Sequence, residues 1–574
     1  MNTEWVHLKA DEKQVKEIAD TLGLNRITAC LMVNRGITTT DEARKFLSPS
    51  LDRLPDPFLF KDMDRAVVRI HRAIKEKEKI LVFGDFDADG VTSTTLVVDF
   101  LTRSNAEVSW YIPHRQKEGY SLKPDHIKMS AAQGIDLIIT VDCGSDSFQA
   151  IEDAALEDID IIVTDHHEVP APLPPAFALI NPKRKDCPSG LSHLAGVGVA
   201  FYLIIALRKH LRDNEFYDNT VEPNLKEYCD LVAMGTIADM VPLKHENRIL
   251  TAAGIKVLRE GRRPGFKAIA QISRISEENM DSEDISFRMA PRINAAGRIS
   301  HARICVDLLT SRDSSRAEQT AAILDKLNRQ RQDTEQGIIQ DIEKILDSLP
   351  ELIERSSLVL WHDNWNSGVL GIAASKMANK FRKPTILIST DGDLPTGSCR
   401  SVNKINIHEA LSRCSHLLER FGGHAMAAGI AVKRENLSIF AQSFDETIQA
   451  AAGPESFNKE ISIDHLLDFG KINQDFIKEM DRLKPFGMGN PEPLFSCSNV
   501  KVVSSTIIGT RHLKMVLESD RGQPPGRMEA LQFNIDPNLP MPTFFAELAF
   551  RVRTNRYGST PHPQIIIEAT HFLT

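Results

Sequence analysis

The sequence has eight cysteines in 574 residues and no CxxC pair among them, which disfavours a zinc ribbon and gives no ground for a disulfide scaffold. It has no apolar run near the ~20 residues that a membrane span needs, and its opening "MNTEWVHLKADEK" carries no signal-peptide apolar segment. The expectation is a cytoplasmic protein with no membrane contact. No repeat or low-complexity tract stands out. A net charge of −9 argues against coating nucleic acid by bulk charge, while leaving room for a local basic groove. What is present is ordinary for a soluble globular protein, with 42% hydrophobic and 26% charged residues. The length calls for roughly three or four domains.

Along the chain, residues 1–60 mix helical periodicity with the proline-rich "FLSPSLDRLPDPF" and read as an extension packing on the domain that follows. From Lys79 the pattern becomes strand, loop, helix, repeated: "KILVFGD", "VTSTTLVVDFLTR", "AEVSWYIP", "IDLIITVD", "SFQAIEDAALED", "IDIIVTD". That grammar predicts an α/β fold with a doubly wound parallel sheet over 61–310. The charged, proline-free stretch around 311–350, with Leu324, Leu327, Ile338, Ile342 and Ile345, predicts a connecting helix of about 30 residues, or ~45 Å. A second α/β domain is expected over 351–455, a linker over 456–489, and a small β-barrel over 490–574, built from "NVKVVSSTIIG", "HLKMVLE", "FFAELAFRVR" and "PQIIIEATHF".

Three of these strands run into charge. "VFGDFDADG" places Asp85, Asp87 and Asp89 after one strand, "TVDCG" places Asp142 after another, and "IIVTDHHEVP" places Asp165, His166 and His167 after a third. The carboxyl ends of parallel strands share one edge, so these groups converge, and such a density of carboxylates requires cations. A single DxD is more often a helix cap or turn, and a lone His pair more often scaffold. Three clusters at three strand ends favour a metal site. Carboxylate and imidazole without thiolate suit Mn2+ or Mg2+, with histidine tilting the choice to Mn2+, and two such ions form a clamp for phosphate-ester hydrolysis. Asp239, at the end of the helical "DLVAMGTIADMVPL", completes the set.

The motifs "GDFDADG", "VDCG", "TDHH", "LAGVGVAF", "GTIADMVPL", "RINAAGR" and "FGGHAMAAG" together resemble the DHH phosphoesterase superfamily, in the order and spacing of its single-strand-specific DNA exonucleases. The resemblance runs from about residue 60 to the end. It implies Asp85, Asp87, His166 and Asp239 as ligands of two ions, Asp142 as the bridging carboxylate, and His167 on the scissile phosphate or leaving group. Asp89 and Asp165 would orient these groups. Many smaller relatives carry a histidine where this sequence has Leu81, which implies a more open first metal site. The family also implies that the second α/β region is a DHH-associated domain and that the barrel is an OB-fold.

Substrate contacts are expected from four stretches. In "MAPRINAAGRISHA", Arg292, Asn294 and Arg298 flank a small-residue turn suited to gripping phosphate. In "RFGGHAMAAGI", Gly422, Gly423 and His424 read as a glycine-rich helix N-terminus facing an anion. Arg115 and Tyr120, with Ser398 and Arg400, are candidates for holding a 5′-phosphate and stacking on a base, and Arg551, Arg553, Arg556 and Tyr557 for tracking a strand across the barrel. For each stretch alone, a solvated surface is the plainer reading. The resemblance implies a monomeric 5′-to-3′ exonuclease on single-stranded DNA that releases 5′ mononucleotides in repair and recombination, alongside single-stranded DNA-binding protein and a repair helicase. Two rivals are a phosphodiesterase of very short or cyclic nucleotides and a non-catalytic DNA-binding scaffold.

Overall fold

The computed structural model describes residues 3–571 apart from 403–404, 452, 454–458, 510, 520–525, 537–539 and 556–560. Arg556 and Tyr557 lie outside the described residues.

A short strand β1 (Thr3–His7) precedes four α-helices, and the first sheet then follows: β2 (Lys79–Gly84), β3 (Glu107–Tyr111), β4 (Leu137–Val141), β5 (Asp160–Thr164) and β6 (Ala178–Ile180). These strands are all parallel in the order β3-β2-β4-β5-β6. The central strands are apolar throughout because helices cover both faces. Ile80 and Val82 face the helices Met63–Glu76, Ala88–Arg103 and Gly196–Asp213, whereas Leu81 and Phe83 face Pro124–Ala132 and Phe148–Leu156. The period-2 alternation of one strand thus feeds two separate cores.

The connecting helix spans Ser314–Ser348, capped by the Asp313 carboxylate. At 35 residues it extends about 52 Å. Its first half buries Ala317, Ala321 and Leu324 against the first domain, and its second half buries Ile338, Ile342 and Leu346 against the second. That second domain carries β7 (Leu358–His362), β8 (Thr385–Ser389), β9 (Thr396–Arg400), β10 (Arg420–Gly423) and β11 (Ala427–Ala431) in the order β10-β11-β9-β8-β7, with only β7 and β8 parallel.

Strand β12 (Lys459–Ile463) pairs in parallel with β1, and the two-residue β13 (His465–Leu466) leads into the barrel. The barrel comprises β14 (Phe495–Ile508), β15 (His512–Ser519), β16 (Gly526–Gln532), β17 (Phe544–Asn555) and β18 (His562–His571), and β14–β17 pairing closes it. The strand β16, "GRMEALQ", goes unrecognised in the sequence because Met, Glu, Ala, Leu and Gln are helix formers. Pairing with β15 and β18 overrides that preference.

The N-terminal extension departs from expectation. Its last part packs on the first domain, through Leu51, Leu54, Phe58 and Phe60. Val15, Ile18, Leu31 and Met32 instead share a core with Phe476, Phe495, Phe545 and Phe550 of the linker and barrel. Amphipathic helices must bury their apolar faces, and the barrel's flank with the helix Gln474–Asp481 supplies the surface. Among the described residues, no helix is long and apolar enough to cross a membrane.

Arg248, buried in the helix His245–Arg259, fastens the junction of these bodies. Its guanidinium donates to the carbonyls of Phe46 (3.0 Å), Leu483 (3.0 Å) and Lys484 (2.7 Å), and lies 3.6 Å from the centre of the Phe46 ring. Arg248→Met leaves those carbonyls without a charged donor and is expected to cost about 3 kcal/mol. Calorimetry should show an earlier melting transition; an unchanged profile would remove Arg248 as the fastening.

Candidate active site

Each strand of the first sheet stops where polar backbone begins, and the loops beyond β2, β4 and β5 hold the charged groups at one edge. Asp87 is the N-cap of the helix Ala88–Arg103 and accepts from the Asp89 and Gly90 amides at 2.9 and 3.1 Å. Gly90 is required by space, since a Cβ there would lie 2.6 Å from Asp85. Asp142 adopts φ +61, a left-handed conformation that costs a non-glycine residue energy and recurs at functional sites. Asp239 caps the C-terminus of the helix Cys229–Ala238.

Three sets of side chains come within metal-ligating reach: Asp85, Asp87 and Asp142; Asp89, His166 and Asp239; and Asp142, His166 and His167. Asp142 and His166 each belong to two of them. The imidazole Nδ1–H of His166 donates to the Leu194 carbonyl at 3.0 Å, which leaves a bare lone pair on Nε2. That lone pair stands 3.2 Å from Asp142 Oδ1, 3.7 Å from Asp239 Oδ2 and 3.9 Å from Asp89 Oδ2. Electron pairs so close repel unless a cation lies among them. Asp85 Oδ1 and Asp142 Oδ1 are, in addition, buried without a hydrogen-bond donor.

The electrostatics agree. Burial, then the neighbouring Asp87 charge, push the Asp85 carboxyl well up and that of Asp89 to about 7. Burial with Asp89 and Asp87 raises Asp239 to about 8, and burial with Asp89 raises Asp142. Burial and the His167 charge lower His166 to about 4, keeping its imidazole neutral. The carboxylates are thus short of positive charge, and the donor set fits divalent cations.

His167 is set up differently. Its Nδ1 lies 2.8 Å from Asp165 Oδ1 and 3.0 Å from the Tyr120 hydroxyl, which itself donates to the Asp142 carbonyl at 3.2 Å. Burial works against its charge, but the Asp165 hydrogen bond and carboxylate outweigh it and raise His167 to about 9. Asp165 is held in turn by the amides of Ser145, His166 and His167. Asp89 accepts from the Gly196 and Val197 amides at 2.7 and 2.9 Å, so "LAGVG" is a helix start that fixes an aspartate.

Several expected contacts come out otherwise. Tyr120 lies against His167, with its hydroxyl taken up by His167 Nδ1 and the Asp142 carbonyl. The "RINAAGR" stretch is a helix, Ala290–Ile299, not a turn, because its small residues let it lie on the Asp85–Asp87 loop; a Cβ at Gly297 would meet the Phe86 carbonyl at 2.5 Å. Asn294 Oδ1 accepts from the Ala88 amide at 2.8 Å, and Arg292 pairs with Asp325 of the connecting helix at 2.8 Å, so both fasten structure before any phosphate. Arg298 donates from Nη1 to the Gly368 carbonyl of the second domain at 3.1 Å. Its charge is opposed by burial, then by Arg115, and is also within influence of Asp87, Arg400 and Arg331. Arg400 leans on the Ser375 hydroxyl at 3.1 Å. Gly422 and Gly423 end β10 and turn with His424 into β11, rather than starting a helix, because β11 is claimed by both β10 and β9. Arg551 pairs with Glu568 at 3.0 Å, and Arg553 with Glu492 and Glu283 at 2.8 and 2.9 Å, which takes up the charge expected to follow phosphates. Leu81 is core, packed with Phe83 and Ile138.

Sequence reasoning missed Leu194, whose carbonyl sets the His166 tautomer, and Asn181, which donates to the His167 carbonyl at 2.9 Å. Glycines at 196 and 198 were the available signal.

The family models for the DHH family N-terminal domain, the DHHA1 domain and the RecJ OB domain match residues 79–236, 354–450 and 463–569. The single-stranded-DNA-specific exonuclease RecJ of Escherichia coli (strain K12) is 35% identical over 97% of this chain and 98% of its own length. The chain belongs to the RecJ family. RecJ of Bacillus subtilis (strain 168) is likewise 35% identical, over 98% of this chain and 70% of its own. Among solved structures, RecJ from Thermus thermophilus in complex with Mn2+ matches with a TM-score of 0.84 at 27% identity, covering 100% of this chain and 80% of that one. The same protein in complex with Mg2+ matches with a TM-score of 0.77 at 26% identity, covering 100% of this chain and 79% of that one. A RecJ-type α/β core with a DHHA1 domain and an OB barrel is therefore the architecture here.

Gly196 tests the metal assignment, because a Cβ on it collides with Asp142. Gly196→Ala is expected to weaken Mn2+ binding at least about tenfold by calorimetry, with the circular dichroism spectrum retained. Unchanged affinity would separate Asp142 from the metal.

Proposed function

We propose that this chain is a 5′-to-3′ exonuclease that hydrolyses single-stranded DNA to 5′ mononucleotides with two divalent cations, Mn2+ or Mg2+. The observation that carries the reading is the His166 lone pair aimed into three carboxylates, with Asp142 common to two ligand sets. Asp85, Asp87 and Asp142 would hold one cation, and Asp142, Asp239 and His166 the other, with Asp89 at their edge. When bound, the cations supply Lewis acidity to the phosphoryl group and a lowered pKa for the attacking water.

The protein's own groups do the rest. Asp165 and Tyr120 occupy Nδ1 of His167, so the proton this ring holds at Nε2 is available to the departing 3′-oxygen. Arg298, lying between the acidic edge and Arg115 and Arg400, orients the phosphate next to the scissile bond. Arg115, Ser398 and Arg400 form the seat for a terminal 5′-phosphate. A Cβ at Gly371 would lie 3.6 Å from the Ser398 hydroxyl and closer still to Arg400, so the helix there leaves the pocket open. An anion at that seat relieves the repulsion among these arginines, and that relief favours a phosphorylated 5′ end. The reading extends to a monomer acting in the cytoplasm in repair and recombination, with single-stranded DNA-binding protein and a repair helicase as partners.

Digestion of end-labelled single strands and their duplexes in Mn2+, Mg2+ and EDTA tests the whole. Mononucleotides should leave the 5′ end of the single strand only, with metal only, and Asp142→Ala should lower the rate at least about a thousandfold. Cleavage confined to the shortest oligonucleotides, or binding without cleavage, would overturn it. Arg400→Ala should lose most of the preference for 5′-phosphate over 5′-hydroxyl; intact discrimination would move the 5′ seat elsewhere.

A further inference from the structure

The first sheet runs in the order β3-β2-β4-β5-β6, and its carboxyl edge carries charge in the same order. Arg115 follows β3, Asp85 and Asp87 follow β2, Asp142 follows β4, and His166 and His167 follow β5. After β6 comes "NPKRK", whose Lys183 closes the row at the border opposite Arg115. The metal-ligand candidates on this edge therefore lie between two cationic side chains, one at each border of the sheet.

The loop that carries Lys183 is fixed on both sides of it. Asn181, fully buried, donates from Nδ2 to the Ser145 hydroxyl and to the His167 carbonyl, both at 2.9 Å, and its Oδ1 accepts from the Lys183 amide at 2.9 Å. Arg184, also buried, donates to Asp62 and to the Leu179 carbonyl at 2.6 Å and to Asp186 at 2.8 Å. A loop so held keeps its middle residue beside the strand end that delivers His166 and His167. The charge of Lys183 is felt at His166, after the stronger influences of burial, His167 and Asp165, and at Asp239, after burial and the neighbouring aspartates.

The amine itself is lightly held. It lies 3.2 Å from Glu168, and the two side chains are 29% and 69% exposed. A pair this open to water contributes little to stability, so Lys183 can exchange Glu168 for another anion. We propose that Lys183 is a substrate-binding residue that holds the phosphate one nucleotide to the 3′ side of the scissile one. With the terminal 5′-phosphate at Arg115 and the scissile phosphate on the cations in the middle of the row, the next phosphate arrives at the border where Lys183 stands. Counted from the 5′ end, these are the first, second and third phosphates. A lysine serves there as a point charge that tolerates some movement of its anion. The third phosphate belongs to the strand that remains after cleavage, so the grip survives the break and keeps that strand one step from the cations. This inference rests on the exonuclease reading above.

The test uses the full chain with Mn2+ and 5′-phosphorylated oligothymidines of about 20 nucleotides, longer than one OB barrel spans. One is unmodified, one carries an uncharged methylphosphonate at the third phosphate, and one carries it at the fifth. The readout is kcat/KM for release of the first nucleotide. Neutralising the third phosphate should cost the wild type at least about tenfold, and Lys183→Ala should lose as much on the unmodified strand yet be indifferent to the third-phosphate change. Lys183→Arg should keep most of the wild-type rate, and both proteins should respond alike to the fifth-phosphate change. Glu168→Gln, which breaks the pair and leaves the amine, should keep the sensitivity to the third phosphate. Equal sensitivity in wild type and Lys183→Ala, or its loss in Glu168→Gln, would overturn the inference and leave the Lys183–Glu168 pair a structural one. Should the wild type cut none of the strands, the exonuclease reading fails by itself; fluorescence anisotropy of the same strands on wild type and Lys183→Ala then decides the lysine separately.

Discussion

Five carboxylates, Asp85, Asp87, Asp89, Asp142 and Asp239, are gathered around one imidazole by four separate pieces of chain, and their mutual repulsion has to be borne by the fold. The parallel sheet bears it first, since β2, β4 and β5 are buried strands whose ends have little freedom to part. Helix termini bear it next: Asp87 caps one helix and Asp89 accepts the first amides of another, each placing a carboxylate where backbone dipoles favour it. Close backbone approach does the remainder. A Cβ at Gly235 would lie 2.7 Å from Asp89, so that helix reaches the cluster only because the residue is glycine. Burial keeps the site dry, and it is burial that makes a missing cation costly and a bound one firm.

The acidic edge has a basic counterpart assembled from different parts of the chain. Arg115 follows β3, Arg298 lies in the last turn of the helix Ala290–Ile299, Arg331 lies within the connecting helix, and Arg400 ends β9 of the second domain. Arg331 is held by Glu335, which also takes Lys376 from the second domain. The helix that fixes the distance between the two domains thereby joins their charges.

Much of this was legible in the sequence, for a physical reason. A ligand at a strand end is marked twice, by the apolar run before it and by an acid or imidazole where the run stops, as in "IIVTDHH". The long helix was legible because 35 residues without proline keep one apolar face. What failed was whatever depends on a remote partner. Arg292, Arg551 and Arg553 look like phosphate contacts until Asp325, Glu568, Glu492 and Glu283 are brought to them. "FGGHA" and "GRMEALQ" carry local preferences for turn or helix that neighbouring strands overrule. The partner of the N-terminal helices could not be read at all, since an amphipathic face states that it needs cover and not by what.

That last placement bears on how the barrel is seated. The N-terminal helices share a core with the barrel, β1 pairs with β12, and Arg248 ties both to the first domain. The barrel is therefore seated by both ends of the chain rather than hung from a single linker. On the side facing the first domain, Arg553 of the barrel pairs with Glu283 and Lys484 of the linker with Asp281, while Leu243 and Ser282 of the first domain donate to the Met488 and Phe486 carbonyls of the linker. Such pairs contribute little each and exchange readily with water. An apolar core behind and a polar contact in front hold the barrel more firmly on the side of the N-terminal helices than on the side facing the first domain.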